Sequence, residues 1–392
     1  MQNGIILPPR KTSYPPNVDV LGGVLDSDGN YVDISCQPAV LLPGDVFRVR
    51  GSYDFSEDEV VHSDERVIYM NCALNFHWGH TLIDVLGRVW YMSVDKDTKV
   101  AYTYNTYVVH EDKLRSGLGN ILELMELAGI SRDRFVRVDK VTRFREVIVP
   151  ELSVFPGKYF TREWRELFDR IIENSGARIT SEKKIYCSRS RLPDHKEDGE
   201  SYIEKVFTDN GYVPVYMERM TVREQIQALN SASEIAMVNG TLAHNLLLVA
   251  GSPKVTIINK TYAMNFFQPL VNQASHASEI YYVDAYVSPL PVSFGAGPFI
   301  MRLTPEFMRY CKDKGMRLED GLVREGTQKL NVRTRVLYYL RWLRKYIVRP
   351  RYFVVSFVKG MWAKVKLSYR EAGIPEYYKK VRAYYRSQQR GG

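Results

Sequence analysis

The chain has 392 residues, which exceeds one ordinary domain and predicts two, each long enough to bury a hydrophobic core. Its net charge of +9 is unevenly spread, because residues 328–392 hold 17 Lys and Arg but only two acidic residues. The preceding residues 1–327 hold 37 basic and 43 acidic residues. A mildly acidic body with a strongly basic tail predicts contact between the tail and an anionic surface, either a membrane or a nucleic acid.

Composition argues against several other classes of protein. No run of about 18 uninterrupted apolar residues occurs, so we predict no membrane-spanning helix. The first ten residues lack the basic start, apolar run and cleavage site of a secretory signal peptide, and we expect none. The four cysteines lie far apart and form no Cys-x-x-Cys pair. This predicts free thiols in a reducing cytoplasm and no zinc site.

The first half of the chain alternates between strand-like and helix-like segments after a Pro- and Gly-rich stretch. Residues 1–50 predict an irregular leader with a few strands and no chemistry. Strands are then predicted at 66–74, 99–104 or 107–109, 135–138 and 146–149, and helices within 75–92, at 121–128 and after Thr161. Such alternation predicts an open parallel sheet covered by helices.

The second half repeats this alternation from a predicted boundary near residues 175–182. Strands are predicted at 183–188, 212–216, 234–238 and 254–258, and helices at 201–210, 221–229 and 242–249. A Thr221–Glu224 capping box marks the start of the second of these helices. Two consecutive α/β halves predict two sheet domains that face each other across a cleft.

After residue 300 the pattern becomes helical, basic and aromatic. Helices are predicted at 305–313 and 332–348, and the apolar piece at 352–362 is too short to cross a bilayer. Helices with aromatic residues opposite Lys and Arg favour the interface of an anionic membrane. The alternative is a helix that packs on the body and exposes a solvated basic face. Nucleic-acid binding is the third interpretation, and we expect none because no nucleic-acid-binding module is recognisable.

The first candidate constellation is His80, Asp84 and Arg88. The four-residue spacing predicts that these side chains line one stripe of a helix that follows a strand. A base, an acid and a cation in this order could carry chemistry. They could equally be an Asp–Arg pair beside a core histidine.

Three more constellations follow predicted strands of the second half. Arg189 and Arg191 come where the strand at 183–188 ends, a position that suits phosphate binding. The Asn239–Asn245 segment places a glycine between a strand and a helix, which lets backbone N–H groups approach an anion. Glu218 could hold ribose hydroxyls. For each, an ordinary loop or turn is the alternative interpretation.

Several common signatures are absent from the chain. It contains no GxGxxG, GxxxxGK[ST], HExxH or GxSxG motif. It also lacks the Asp-x-Asp pair that commonly holds a divalent metal for a nucleotide sugar. These absences argue against nucleotide hydrolysis, zinc hydrolysis and serine esterase activity, and weakly against dependence on a metal.

Four segments, in order, resemble the motifs of glycosyltransferase family 61. Residues 78–91, WGHTLIDVLGRVWY, resemble GHFLxDxLxRLWY, and residues 184–189, KIYCSR, resemble KIYxSR. Residues 217–226, MERMTVREQI, resemble PExLSxxEQI. Residues 239–248, NGTLAHNLLL, resemble SGTLAHNLLF. Four blocks in the right order are far more specific than any one of them.

The resemblance implies an α/β fold of GT-B-like architecture, with two Rossmann-like domains and a basic amphipathic helical tail beyond the match. The implied division is an acceptor-side domain at 1–178, a nucleotide-sugar-binding domain at 179–300 and the tail at 301–392. The implied activity is inverting transfer of a sugar from a nucleotide sugar to a glycan or lipid-linked acceptor in capsule or surface polysaccharide synthesis. No cofactor is built in, and a divalent metal is not expected to be required.

The resemblance also assigns residues by position. Asp84 and His80 are the candidates for the base, with Arg88 and His77 in support on the acceptor side. The donor-side residues are Arg189, Arg191, Glu218, Asn239, Gly240, Thr241, His244 and Asn245. We expect the enzyme to be cytoplasmic, peripheral on the inner face of the cytoplasmic membrane, and held there by residues 328–390.

One departure from the family pattern keeps an alternative open. Many members have His before the glycine of the last motif, whereas this chain has Asn239. A non-catalytic GT-B-fold assembly or binding protein of a polysaccharide-synthesis complex is therefore the alternative function.

Overall fold

The computed structural model describes residues 1–11, 18–38, 47–73, 78–104, 111–155, 159–192, 197–262, 265, 267–290, 292, 294–295, 297–328 and 330–346. His77, the alternative strand at 107–109 and the tail beyond residue 346 lie outside these residues. The chain divides into two compact units. The first comprises Met1–Ala177, Thr221–Ile226 and Gln273–Ser275, and the second comprises the other described residues.

The first unit contains a mixed eight-stranded sheet in the order β3-β4-β2-β1-β8-β5-β6-β7. The strands of this sheet are β1 Ile5–Lys11, β2 Val18–Leu25, β3 Gln37–Pro38, β4 Phe47–Val49, β5 Val61–Ala73, β6 Lys99–Tyr104, β7 Phe135–Arg137 and β8 Thr142–Ile148. A separate antiparallel pair is formed by β9 Val154–Phe155 and β10 Tyr159–Phe160. The helices of this unit are α1 Trp78–Ile83, α2 Glu111–Leu127 and α3 Arg162–Ser175. The four strands from β8 to β7 are parallel, as the alternating pattern predicts.

The few strands expected in residues 1–50 are present, but they belong to the main sheet instead of an irregular leader, and the sheet of this unit is mixed and not parallel throughout. β1 lies between β2 and β8 and is antiparallel to both. Ile6 and Leu7 are fully buried. This strand was not predicted because it contains Pro8 and Pro9, and proline is rare within strands. Both prolines lie where the β1–β2 register shifts, an irregularity that tolerates proline.

The prediction of one continuous helix within 75–92 is wrong. α1 ends at Ile83, and residues Val85–Ser93 form a 3₁₀ helix. The Gly87 carbonyl accepts hydrogen bonds from both the amide and the hydroxyl of Ser153, each 2.8 Å long, so a distant segment occupies it. Because a 3₁₀ helix has about three residues per turn, the four-residue spacing no longer aligns side chains beyond Asp84.

Arg88 therefore does not join the stripe with His80 and Asp84. Its side chain is fully buried. Its guanidinium donates to the carbonyls of Pro150 at 3.0 Å, of Cys36 at 2.9 Å, and of Ile34. These bonds connect the segment before β3 to the segment after β8. The structure thus gives Arg88 a stabilising role inside the first unit.

The second unit contains a five-stranded sheet in which every strand is parallel to its neighbours. The order is β13-β11-β14-β15-β16, and β12 pairs separately with β17. The strands are β11 Lys183–Cys187, β12 Glu197–Asp198, β13 Tyr212–Val215, β14 Ala232–Val238, β15 Lys254–Asn259, β16 Glu279–Asp284 and β17 Phe299–Ile300. When only the five strands of this sheet are numbered along the chain, the order is 2-1-3-4-5, that of a doubly wound fold.

The remaining helices are α4 Glu200–Asp209, α5 Val222–Asn230, α6 Gln268–Ala274, α7 Pro305–Asp313, α8 Asp320–Gly326 and α9 Val332–Tyr346. The capping box before α5 is confirmed, because the Glu224 carboxylate accepts from the Thr221 amide at 2.8 Å. Phe307 and Leu322, from α7 and α8, belong to the same core cluster as Val238 and Ile258. The part of the predicted tail before residue 327 thus packs on the sheet of the second unit.

α9 has one buried face and one exposed face. Tyr338 and Trp342 are buried in a cluster with Val292, Phe299 and Ile300. The apolar side chains of the other face are Val332, Val336, Leu337, Tyr339, Leu340 and Leu343, which are between 39% and 79% exposed. The helix therefore packs on the body, as the alternative interpretation expected, but its outward face is apolar as well as basic.

We expect Arg88→Met to lower the free energy of unfolding by about 3 kcal/mol or more, because it leaves buried carbonyls without donors. Urea unfolding followed by circular dichroism measures this. Arg132→Met is the matched control, since Arg132 is 63% exposed in its pair with Glu126 and should change stability by about 1 kcal/mol at most. Unchanged stability with lost activity would contradict the stabilising role.

Candidate functional site

The strand order of the second unit marks one place for a ligand. Open α/β sheets bind ligands outside the carboxyl ends of the strands, where the strand order reverses. Here the reversal lies between β11 and β14, which pair with Cys187 opposite Met237. Arg189 and Gly240, each two residues beyond the end of one of these strands, therefore lie at the switch point.

The turn after β14 requires a glycine. Gly240 has a φ of 152°, a conformation that side chains disfavour, and Thr241 begins a 3₁₀ helix that ends at Leu248. The predicted helix at 242–249 is therefore of the tighter 3₁₀ kind. A Cβ atom placed on Gly240 would lie 3.4 Å from Lys260 Nζ. The turn thus lies beside a cation that follows β15.

A buried cluster of charges lies at this end of the sheet. Glu197 Oε1 accepts hydrogen bonds from Lys260 Nζ at 2.7 Å and from Arg189 Nε at 3.2 Å. The side chains of Glu197, Lys260 and Arg189 are 2%, 6% and 24% exposed. Burial alone would raise the pKa of Glu197, but the two cations outweigh it and hold this pKa below its usual value.

Glu200, at the start of α4, is a second buried carboxyl beside Arg189. It accepts from the Arg189 amide at 2.8 Å and from the Tyr186 hydroxyl at 3.2 Å. Burial raises the pKa of Glu200 to about 8, against the hydrogen bond from Arg189. Glu200 is therefore mainly protonated at neutral pH and adds little negative charge to the site.

Glu204 holds the residues directly after β11 in place. Its carboxylate accepts from Ser188, from Ser190 at 2.6 Å and from Tyr216 at 2.8 Å. Arg191 lies over the Tyr216 ring, 4.2 Å from its centroid. The two predicted arginines thus have different surroundings, because only Arg189 belongs to the buried cluster of charges.

The side chain of Asn239 belongs to a buried chain of amides. Its Nδ2 donates to Asn259 Oδ1 at 2.7 Å, and Asn259 Nδ2 donates to Asp284 Oδ1 at 2.7 Å. Asn265 Nδ2 donates to Asn239 Oδ1 at 3.2 Å and lies 3.2 Å from His244 Nε2. Asn239 and its partners thus fix the turn at Gly240 through buried hydrogen bonds.

The other predicted donor-side residues differ in accessibility. His244 and Asn245 are 6% and 1% exposed. Thr241 is half-buried, and Glu218 is exposed in a short 3₁₀ helix after β13. The contact that each was predicted to make with a donor stays a prediction.

In the first unit, His80 and Asp84 form a hydrogen-bonded pair. His80 Nδ1 lies 2.8 Å from Asp84 Oδ2, and the Asp84 amide donates to the His80 carbonyl at 2.7 Å. The Asp84 side chain is 1% exposed, whereas that of His80 is 21% exposed. The structure therefore brings two of the three predicted stripe residues together and gives His80 the greater access.

Among the described residues, no group of three or more His, Cys, Asp or Glu side chains could hold a metal ion. Within the same residues, no helix combines the length and apolar character that crossing a bilayer needs. Cys36, Cys187 and Cys311 are free thiols.

A doubly wound sheet with a glycine turn and buried cations at its switch point is typical of α/β proteins that bind anionic ligands. Residues 78–258 match the family model described as Glycosyltransferase 61. This match supports membership of the family and activity as a glycosyltransferase, as the four motifs indicated. A comparison with curated proteins found no match.

The sequence analysis missed Glu197, Glu200 and Lys260. Lys260 comes two residues after the last residue of the family match and directly after β15. Lys260 could have been predicted because it is a polar residue directly after a buried strand, the same pattern that indicated Arg189. Glu197 gave no such signal, because its pairing with Lys260 joins residues 63 positions apart.

We expect Glu200→Gln to change how stability depends on pH. The folded wild type holds a proton on Glu200 up to a pH of about 8, whereas the unfolded chain releases it near the ordinary value of 4.5. This contribution to stability is therefore complete below pH 4.5 and is lost as the pH rises towards 8.

The glutamine variant lacks this loss, so its stability relative to wild type should increase between pH 5 and 9. The scale is about 1.4 kcal/mol per unit of pKa shift. Urea unfolding at several pH values measures the difference. Parallel stability curves for the two proteins would contradict the assignment.

Proposed function

We propose that this glycosyltransferase moves a sugar from a nucleotide sugar to a glycan or lipid-linked acceptor, with inversion, in the synthesis of a surface polysaccharide. The GT-B-like arrangement, with the acceptor on the first unit and the donor on the second, is part of the proposal. The His80–Asp84 pair is the observation that carries it, because inverting transfer needs a base for the acceptor hydroxyl.

The pair supports His80 as the base and Asp84 as the residue that orients it. Asp84 contacts Nδ1 of the imidazole, and in this arrangement Nε2 is the nitrogen that we propose takes the acceptor proton. Asp84 itself is nearly inaccessible to an acceptor. Its carboxylate would also stabilise the imidazolium that forms when His80 takes the proton.

The switch point of the second unit supports binding of the donor. Inverting transfer from a nucleotide sugar releases a negatively charged leaving group, which cations and backbone N–H groups stabilise. Arg189 and the turn at Gly240 and Thr241 suit that role. Because protein cations can supply this charge, we propose that transfer needs no divalent metal, and activity should then persist in a chelator.

The exposed face of α9 supports attachment to the inner face of the cytoplasmic membrane. Its apolar residues alternate with Arg333, Arg335, Arg341 and Arg344. An apolar face interleaved with arginines suits the interface of an anionic bilayer. A lipid-linked acceptor would be presented at the same surface.

We expect His80→Gln to lower kcat by about 10²- to 10⁴-fold, because a positioned base contributes that much. Asp84→Asn should also lower kcat, because the imidazole would lose its oriented tautomer. Rates of nucleotide-sugar hydrolysis and transfer measure both effects, after a thermal-shift screen has identified the donor that stabilises the protein.

His62→Gln, at an exposed position of β5, is the matched control and should keep the wild-type rate. Full turnover by His80→Gln together with an inactive Asp84→Asn would instead make Asp84 the base. Full turnover by both variants would refute the proposed pair.

We expect the double variant Leu340→Asp/Leu343→Asp to bind anionic vesicles at least about tenfold more weakly, since burying one leucine contributes about 1.5–3 kcal/mol. Co-sedimentation with vesicles of phosphatidylglycerol and phosphatidylcholine measures the binding. Val94→Asp, at an exposed apolar position of the first unit, should bind as the wild type does. Equal binding by wild type and double variant would contradict attachment through α9.

A further inference from the structure

The side chain of Lys260 is fixed by an ion pair and an aromatic contact. Its ammonium is bonded to Glu197 and lies 4.4 Å from the centroid of the Phe299 ring. The side chain is 6% exposed, which is rare for a lysine and costs free energy unless the charge is compensated. The position of the Lys260 ammonium is therefore set by the residues that surround it.

The charges around Lys260 do not balance. Lys260 and Arg189 are two cations that share the single carboxylate of Glu197. Glu200, the next carboxyl, is mainly protonated at neutral pH. This group of four therefore carries one net positive charge, which an anionic ligand would neutralise.

The excess charge is located where the backbone also favours an anion. Lys260 Nζ lies against the turn at Gly240, where a side chain would come within 3.4 Å of it. This turn and Arg189 belong to the two strands at the switch point of the sheet. Two cations and a glycine turn thus come from the ends of three strands.

We propose that Lys260 and Arg189 together bind the diphosphate of the donor, and that Glu197 is an internal anion with which the diphosphate competes for both cations. The inference rests on the proposed use of a nucleotide sugar. Without ligand, Glu197 holds the cations in position and lowers the cost of burying them. With ligand, the phosphate oxygens take over part of this pairing, and Lys260 stabilises the charge of the departing nucleotide.

A purely structural ion cluster is the competing explanation, and Glu197 distinguishes the two. If Glu197 only stabilises the fold, Glu197→Gln should leave binding of an anion unchanged or weaker. If Glu197 competes with the ligand, its neutralisation should strengthen binding, because both cations then lack an anionic partner until the ligand arrives.

Inorganic pyrophosphate is the probe, because it presents the diphosphate without any nucleoside or sugar. Calorimetry at low salt should show that Lys260→Met binds it about tenfold or more weakly than wild type, the loss expected for one charge-assisted hydrogen bond. Lys260→Arg should restore most of the affinity, and Glu197→Gln should bind more tightly than wild type.

Lys254→Met is the matched control. Lys254 is at the opposite end of β15, where it pairs with Glu279 at 3.0 Å, and its loss should leave the affinity unchanged. Equal weakening by the control would show general charge attraction and overturn the proposal. Unchanged affinity in a folded Lys260→Met protein, or no binding by wild type, would overturn it too.

Two further outcomes separate this inference from others. If Lys260→Met does not fold, Glu197→Gln decides, because tighter pyrophosphate binding supports the site and equal or weaker binding overturns it. Lys260-dependent pyrophosphate binding in a protein that transfers no sugar supports the site and refutes the proposed function. Normal transfer with Lys260-independent binding refutes the site and leaves the function standing.

Discussion

The two ion pairs of the Glu197 carboxylate hold together the carboxyl end of the sheet in the second unit. This carboxylate joins three parts of the chain that are distant in sequence: β12, the loop after β11 and the end of β15. Burying three charged groups is costly, and removing one partner from such a cluster costs more than the cluster contributes. The short β12–β17 pairing exists beside this cluster, so the charges and the backbone pairing support each other.

Elements that depend on the local sequence could be predicted, whereas elements that depend on contacts between distant residues could not. β6, β11, β14 and β15 follow from short apolar runs, and helix ends at Gly129 and Gly176 follow from their left-handed backbone. The 3₁₀ helix after α1 depends on Ser153, which takes the Gly87 carbonyl from 66 positions away. No periodicity within residues 75–92 carries that information.

The same distinction applies to the candidate site. Arg189 and Gly240 follow buried strands, so the sequence pointed to them directly. The family pattern raised a question at Asn239, where many members have histidine. In the structure, the amide nitrogen of Asn239 donates to Asn259 while its oxygen accepts from Asn265. A side chain with both a donor and an acceptor suits this position, and only the tertiary contacts reveal it.

Phe299 contacts both the α9 cluster and Lys260, and it thereby connects these two parts of the second unit. One side of its ring packs in the cluster formed by Tyr338 and Trp342 of α9. The ring also lies 4.4 Å from the Lys260 ammonium. Close-packed interiors transmit displacements, so a force that moved α9 would be felt at this lysine through one aromatic ring. A displacement of α9 would therefore reach the Lys260 ammonium through Phe299, which contacts both.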